Sequence, residues 1–250
     1  MLILPEKLIL RKQIPNIITS ANLLCGCIAI TFIAKGELLP ASFLVLAAAF
    51  FDFFDGMSAR LLKVSSPIGA ELDSLADVVS FGLVPAYMAY AMLADLSDSI
   101  LLPFIAFLIA IFSAYRLAKF NVDERQTDAF IGFPTPANAL FWISIPLIKW
   151  QIDNDYAFLD SSWMYDSLMQ TSVIIFFIIL LSYLLVAEIP LLSLKLKSLK
   201  WADNKSRFLL LGLSLILILL FYFASIPFIL LLYFILSLIE NSTSKNEIQS

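Results

Sequence analysis

The chain has 250 residues, of which 61% are hydrophobic and only 14% are charged, and its formal net charge is -4. Soluble domains carry roughly 25% charged residues, so this composition excludes an ordinary soluble protein and is typical of a polytopic membrane protein. The sequence contains no histidine. Ser-His-Asp triads and histidine-ligated metal sites are therefore excluded, which leaves carboxylates, arginine, lysine and hydroxyl groups to carry any chemistry.

The chain begins with a short segment that we expect to lie on the membrane surface among lipids. Its first twelve residues place Lys7, Arg11 and Lys12 among leucines and isoleucines, which is typical of an amphipathic interfacial segment. About eight apolar stretches that could cross a membrane follow. They cover approximately residues 15–35, 40–62, 68–94, 99–120, 136–151, 168–189, 206–223 and 225–240. We therefore expect an all-α membrane helical bundle, with a single domain over residues 1–240 and a polar tail at 241–250.

The distribution of basic residues predicts how this bundle is oriented. If the N-terminus is cytoplasmic, Lys35 and Lys149 fall on the outer side and the remainder of the 16 basic residues fall on the inner side or at inner helix ends. Positive charge accumulates on the cytoplasmic side of membrane proteins. We expect an integral multi-pass protein of a bacterial or archaeal cytoplasmic membrane, with both termini in the cytoplasm and no nucleic-acid partner.

Four aspartates interrupt the apolar sequence of the second and third predicted spans. Asp52 and Asp55 are three residues apart and Asp73 and Asp77 are four apart, so each pair lies on one face of its helix. The spans are neighbours joined by a turn, so the two pairs can converge at the cytoplasmic end of the bundle. Four such charges in a low-dielectric site repel one another unless cations or protons neutralise them. Carboxylate oxygens are hard ligands that suit Mg, Mn or Ca, so the pattern predicts a divalent-metal site, with Mg or Mn expected.

Small residues and one arginine accompany the aspartates. Gly56, Ala59 and Gly69 have almost no side chain, which allows a ligand or a neighbouring helix to approach the backbone closely. Arg60 stands close to the acids and can hold a phosphate by paired hydrogen bonds. A metal, an arginine and small residues together predict a phosphorylated substrate.

These positions form the pattern D-x2-D-G-x2-A-R-x8-G-x3-D-x3-D, which resembles the signature of the CDP-alcohol phosphatidyltransferase family at every specified position. The resemblance implies a helical membrane enzyme, usually a homodimer, that binds two divalent cations and transfers a phosphatidyl group from CDP-diacylglycerol to an alcohol with release of CMP. The implied metal ligands are Asp52, Asp55, Asp73 and Asp77, with Asp77 also the general base. The implied contacts to the CDP portion are Gly56, Ala59, Arg60 and Gly69.

Other segments resemble the phosphatidylserine synthases of that family. Residues 14–26, I-P-N-I-I-T-S-A-N-L-L-C-G, are similar to their first helix, in which the positions of Asn16 and Thr19 lie near the nucleotide. The segments Y-R-L-A-K-F-N-V and F-I-G-F-P-T-P-A, at 115–122 and 130–137, also resemble these enzymes. L-Serine is therefore the expected acceptor. Its carboxylate and ammonium groups call for a cation and polar partners, and Arg116 and Asn121 meet that requirement.

Alternative interpretations accompany the functional ones. Glycerol 3-phosphate or an inositol-type alcohol could replace serine, although a second phosphate would call for further basic groups. The aspartates could instead serve cation or proton transport. Transporters typically show repeated halves, and no internal repeat is visible here. Outside the signature, Lys119 is interpreted as a positive-inside anchor, a role that Arg116 could also have. Asn22 is interpreted as a hydrogen-bonding contact to a neighbouring helix in preference to a ligand contact, and Glu188 as a helix cap or a partner for a nearby lysine.

Overall fold

The computed structural model describes residues 5–64, 66–122, 130–156, 158–192, 201 and 204–249, except for the side chains of residues 5–12, 130 and 243–249. The helices are α1 (Pro5–Ile33), α2 (Leu38–Leu62), α3 (Pro67–Asp77), α4 (Val84–Leu96), α5 (Leu108–Val122), α6 (Thr135–Asp153), α7 (Ser162–Leu168), α8 (Thr171–Val186), α9 (Lys205–Phe221) and α10 (Ser225–Gln249). A π-helical segment (Val78–Leu83) joins α3 to α4, and 3-10 turns at Leu102–Phe107 and Tyr222–Ala224 precede α5 and α10. Two short strands, β1 (Phe130–Ile131) and β2 (Pro190–Leu191), pair antiparallel. The expected all-α class is confirmed.

The turn between α2 and α3 reverses the chain and brings the two acidic helices together. Lys63 ends α2 in the left-handed conformation, with φ 52°, and its backbone N–H donates to the carbonyl of Arg60 at 3.2 Å. Ser66 then caps α3, because its Oγ accepts a hydrogen bond from the backbone N–H of Gly69 at 2.9 Å. Pro67 occupies the first helical position, where its missing N–H costs no hydrogen bond.

The π-helical segment follows Asp77 directly and lies between α1 and α5. A Cβ on Gly26 would stand 2.5 Å from Ser80 Oγ, and a Cβ on Gly82 would stand 3.0 Å from Ser113 Cβ. A larger residue at either position would force its neighbour to move, so the two glycines allow the helices to pack this closely. Such π-helical insertions are rare and often occur at functional sites.

The number of membrane-crossing helices differs from the expected eight. In the described part of the chain, five stretches are long and apolar enough to cross a membrane, namely Gln13–Ile33, Leu38–Leu62, Pro67–Leu96, Leu102–Val122 and Lys205–Ser242. Counting the bent pair α7 and α8 as one span raises this number to six. The multi-pass architecture is confirmed, and the count of eight is not.

Helices α6 and α8 explain part of the difference between the eight expected spans and the five or six found in the described residues. Helix α6 covers the expected fifth span but is a central helix, with Trp142, Ile143 and Ile148 fully buried and the polar side chains of Asn138 and Gln151 also buried. Helix α8 has 16 residues, and its axis is bent by 75° from that of α7. By length and hydropathy, neither helix alone has the properties of a lipid-surrounded span.

The stretch Lys205–Ser242 folds back on itself. Arg207, at the start of α9, forms an ion pair with Glu240 of α10 at 3.5 Å, whereas a continuous helix would separate these residues by about 50 Å. The reversal occurs at Tyr222, which has φ 50°. Gln151 of α6 holds this turn by accepting from the Phe223 backbone N–H at 2.8 Å and donating to the Phe221 carbonyl at 3.1 Å. The α10 backbone stays helical to Gln249, through most of the expected polar tail.

At the other end of the chain, residues 5–12 belong to the same helix as the first span. The structure describes their backbone, and the surface location expected for the N-terminal segment stays a prediction.

Candidate active site

The α2–α3 hairpin brings the acidic side chains together. One carboxylate oxygen from each of Asp52, Asp55 and Asp73 lies within 4.8 Å of the other two. Asp77 lies one turn after Asp73 on α3, is only 8% exposed, and interacts electrostatically with Asp52. The convergence expected from the three- and four-residue spacings is therefore present in the fold.

Helix α1 supplies hydrogen-bond donors to this cluster. Thr19 Oγ1 donates to Asp55 Oδ2 at 2.6 Å, and Asn22 Nδ2 donates to Asp77 Oδ1 at 3.3 Å. Asn22 is held in turn, since its backbone carbonyl accepts from Ser80 Oγ at 3.0 Å. The interpretation of Asn22 as a contact to a neighbouring helix is confirmed, and that contact is to an aspartate of the site.

The carboxylates have the character of a cation site. Asp73 Oδ1 is buried and has no hydrogen-bond partner among the described residues. A buried carboxylate oxygen without a partner is costly unless a cation compensates it. Ion pairs between described residues involve other acids, namely Glu188, Asp153 and Glu240. Three hard oxygen ligands this close together fit a divalent cation such as Mg or Mn.

A cleft of about 220 Å³ opens beside the aspartates, between α1, the end of α2 and the start of α3. Its lining comprises Pro15, Asn16, Thr19, Asp55, Gly56, Ala59, Val64, Ser66, Gly69, Ala70 and Asp73. Every residue expected to contact CDP lines this cleft except Arg60, whose side chain is exposed at the end of α2.

The two signature glycines occupy different surroundings. A Cβ on Gly56 would meet no heavy atom within 4 Å, so this position faces open space in the cleft. A Cβ on Gly69 would stand 2.9 Å from both Asn16 Oδ1 and Ser66 Oγ. Gly69 therefore allows the capped end of α3 to approach α1, whereas packing against the protein does not explain a glycine at position 56.

The two residues expected to bind serine lie on α5 and have different partners. Arg116 is buried, donates from Nη1 to Thr135 Oγ1 at 2.9 Å, and interacts electrostatically with Asp77. Asn121 is exposed and donates from Nδ2 to Ser74 Oγ at 3.0 Å, beside Asp73 in the chain. Asn121 therefore contacts the acidic helix α3 directly, whereas the hydrogen bond of Arg116 joins α5 to the start of α6.

An ion pair and several hydroxyl-bearing side chains complete the surroundings of the site. Lys119 forms an ion pair with Glu188 at 2.9 Å, which confirms Glu188 as the partner of a lysine. Sequence reasoning did not identify Ser74 or Ser80, which are ordinary polar residues with no pattern of their own. It did not single out Thr135 either, although the motif at 130–137 contains it.

Comparison with known proteins agrees with this geometry. Residues 12–194 match the model of the CDP-alcohol phosphatidyltransferase family. The chain belongs to this family. As one of its phosphatidyltransferases, the protein is an enzyme of phospholipid synthesis, which confirms the resemblance found in the sequence.

Relatives of this phosphatidyltransferase carry the name CDP-diacylglycerol–serine O-phosphatidyltransferase. The protein of that name from Helicobacter pylori is 32% identical over 206 residues, which are 82% of this chain and 81% of the relative. The one from Bacillus subtilis is 40% identical over 129 residues, 50% of this chain and 70% of the relative. The one from Methanocaldococcus jannaschii is 37% identical over 130 residues, 52% of this chain and 58% of the relative.

The carboxylate cluster predicts a cation-dependent stability. Adding Mn to the purified protein in detergent should raise its thermal unfolding temperature, because a ligand that binds only the folded state stabilises it by about 2.7 kcal/mol at a hundred times its Kd. Asp73→Asn should remove most of this increase, whereas Asp153→Asn, which alters an exposed ion pair on α6, should keep it. An equal increase in both variants would contradict a cation site at the cluster.

Proposed function

We propose that the protein transfers the phosphatidyl group of CDP-diacylglycerol to the hydroxyl group of L-serine, giving phosphatidylserine and CMP. The observation that carries this proposal is the carboxylate cluster beside a cleft that the signature glycines line. The names of the relatives support serine as the acceptor.

The cleft would receive the CDP portion of the donor. Asn16 and Thr19 offer polar groups from α1, while Gly56, Ala59 and Gly69 leave space for the nucleotide and its phosphates. Arg60 follows Ala59 directly, and its exposed side chain is long enough to contact the bound phosphates.

Asp52, Asp55, Asp73 and Asp77 would hold two divalent metal ions, Mg or Mn. When bound, these ions neutralise the pyrophosphate and stabilise the departing CMP. The protein's part is to fix the ligands in advance. The hydrogen bond from Thr19 orients Asp55, and the hydrogen bond from Asn22 orients Asp77.

Asp77 would act as the general base. The serine oxygen attacks the phosphorus that carries diacylglycerol, its proton passes to a carboxylate oxygen of Asp77, and the bond from that phosphorus to the oxygen of CMP breaks. Direct transfer of this kind needs no covalent enzyme intermediate. Asn22 donates to Asp77 Oδ1 and so helps to hold this carboxylate in place for the proton transfer.

Arg116 would bind the serine carboxylate, with Asn121 as a further polar contact on α5. A guanidinium group can pair with a carboxylate through two parallel hydrogen bonds, and burial strengthens the pairing. Lys119, the next basic residue on this helix, is already paired with Glu188. This arrangement favours serine over glycerol 3-phosphate or an inositol-type acceptor with a phosphate of its own.

We also propose that the enzyme acts as a homodimer in a bacterial or archaeal cytoplasmic membrane, with its site and termini facing the cytoplasm. The concentration of basic residues at the helix ends nearest the aspartates supports this orientation.

The direct test measures CMP release by the purified protein in detergent with CDP-diacylglycerol and Mg or Mn. L-Serine should support release, whereas glycerol 3-phosphate, inositol and the absence of acceptor should not. Release with another alcohol would replace serine but keep the donor chemistry. No release with any acceptor would contradict the proposed reaction and favour transport.

The variant Asp77→Asn separates proton transfer by Asp77 from binding of CDP-diacylglycerol in the cleft. Asp77→Asn removes the base but keeps the size of the side chain, so serine-dependent CMP release should fall at least about 100-fold, as expected for loss of a general base. Binding of CDP-diacylglycerol, measured by protection against thermal unfolding, should remain. Turnover close to that of the unaltered protein would exclude Asp77 as the base.

The variant Gly56→Ala tests whether the nucleotide of CDP-diacylglycerol occupies the cleft. In Gly56→Ala the new methyl group meets open space, and alanine favours a helix over glycine by about 1 kcal/mol, so thermal stability should hold or rise. The KM for CDP-diacylglycerol should rise because the methyl group enters the ligand's volume. Gly212→Ala on α9 is the matched control, since a Cβ there also meets nothing within 4 Å. Equal KM values for the two variants would place the nucleotide elsewhere.

A further inference from the structure

Helix α10 lies beyond residue 194, where the match to the family ends, yet it is fastened to the segment that follows β2. Tyr233 Oη donates to the backbone carbonyl of Leu192 at 3.1 Å. The backbone N–H of Leu192 donates to Ser237 Oγ at 3.0 Å, and Ser237 Oγ donates to the Tyr233 carbonyl at 2.7 Å. Both side chains are buried. The two backbone hydrogen-bonding groups of Leu192 are therefore bound by α10.

Strand β2 transmits this attachment to the segment that precedes α6. Its residues Pro190 and Leu191 pair with Ile131 and Phe130 of β1. The next two residues after β1 continue the contact, because the Gly132 N–H donates to the Ile189 carbonyl at 3.0 Å and the Phe133 N–H donates to the Leu184 carbonyl at 2.9 Å.

Gly132 makes this close approach possible. Its φ is +82°, and a Cβ there would stand 2.7 Å from the Leu185 carbonyl oxygen. Residues 130–133 are therefore held against the end of α8 and β2, and they lead directly to Thr135 at the start of α6.

Thr135 completes the path to the site. Its Oγ1 accepts the hydrogen bond from Arg116 Nη1, and Thr135 is fully buried. Arg116 also interacts electrostatically with Asp77. Tyr233 is thus connected to Arg116 through this series of hydrogen bonds and backbone contacts.

We propose that Tyr233 and Ser237 are positioning residues for the acceptor alcohol, which they serve by fixing the segment that holds Arg116. This inference rests on the proposed function, in which Arg116 binds the serine carboxylate. A long arginine side chain pairs well with a ligand only if its own partners hold it in place, and displacements of about 1 Å at such a group reduce turnover strongly. The cleft proposed for the donor is built from α1, α2 and α3 and lies outside this path.

The test compares Tyr233→Phe and Ser237→Ala with two controls on the same helical hairpin, Tyr222→Phe and Ser242→Ala, which make the same chemical changes at exposed positions. For the first two variants the KM for serine should rise about 3- to 10-fold, the effect of losing one buried hydrogen bond. Their KM for CDP-diacylglycerol should stay within about twofold of the unaltered value, since no donor contact changes. Both controls should keep both KM values.

A double variant shows whether the effect passes through Thr135. Thr135→Ala removes the acceptor for Arg116, so adding Tyr233→Phe should raise the KM for serine by less than the product of the two single effects. Thr135→Ser keeps the hydroxyl group and should remain close to the unaltered protein.

Three results would overturn the inference. These are equal changes in both KM values, fully independent effects in the double variant, or a lower unfolding temperature with both KM values unchanged. If the unaltered protein uses serine but Tyr233→Phe and Ser237→Ala behave like it, this inference alone fails. If the unaltered protein does not use serine, the proposed acceptor and this inference fail together.

Discussion

The repulsion among four carboxylates in an apolar bundle is the constraint on which the rest of the structure depends. Asp55 and Asp77 are buried, and Asp73 keeps one oxygen without a partner among the described residues. Hydrogen bonds from Thr19 and Asn22 compensate only part of this cost. Full compensation of these carboxylates therefore requires bound cations or protons, and α1 is packed close enough to α2 and α3 for both of its donors to reach them. The carboxylates of the site therefore lower the stability of this end of the bundle.

The sequence predicted the parts of the site that depend on local spacing. Residues three or four apart on a helix lie on one face of that helix whatever the tertiary fold. The pairing of the aspartates and the lining role of Gly56 and Ala59 therefore follow from the spacing of these residues in the sequence. The turn at Ser66 and Pro67 has a recognisable capping pattern, and it fixes the hairpin. The hydrogen bond between Arg116 and Thr135 is different. It depends on how α5 and α6 are placed side by side, which no periodicity in either segment specifies.

The membrane-spanning helices show a related limit of sequence reasoning. Hydropathy measures how apolar a segment is, but a helix surrounded by other helices and a helix surrounded by lipid can have similar values. Helix α6 contains buried Asn138 and Gln151, and Gln151 serves the turn between α9 and α10. These polar side chains lower the hydropathy of α6, and they are tolerated there because Asn138 Oδ1 accepts from Trp142 Nε1 and Gln151 is bonded to the turn. The separation of the last two stretches was predicted correctly, since Arg207 and Glu240 meet only if the chain reverses between them.

The two sides of the site are assembled in different ways, and this difference bears on specificity. The proposed donor side lies within residues 15–73, on three consecutive helices joined by short turns. The proposed acceptor side joins Arg116, Thr135, Leu192 and Tyr233, which come from four separated parts of the chain. A contiguous segment keeps its geometry when distant helices shift, whereas an assembly of distant segments changes with each of its packing contacts. If the proposed donor and acceptor sides are correct, the same donor chemistry would accept a different alcohol through changes in helices outside the cleft, and α10 would be one such helix.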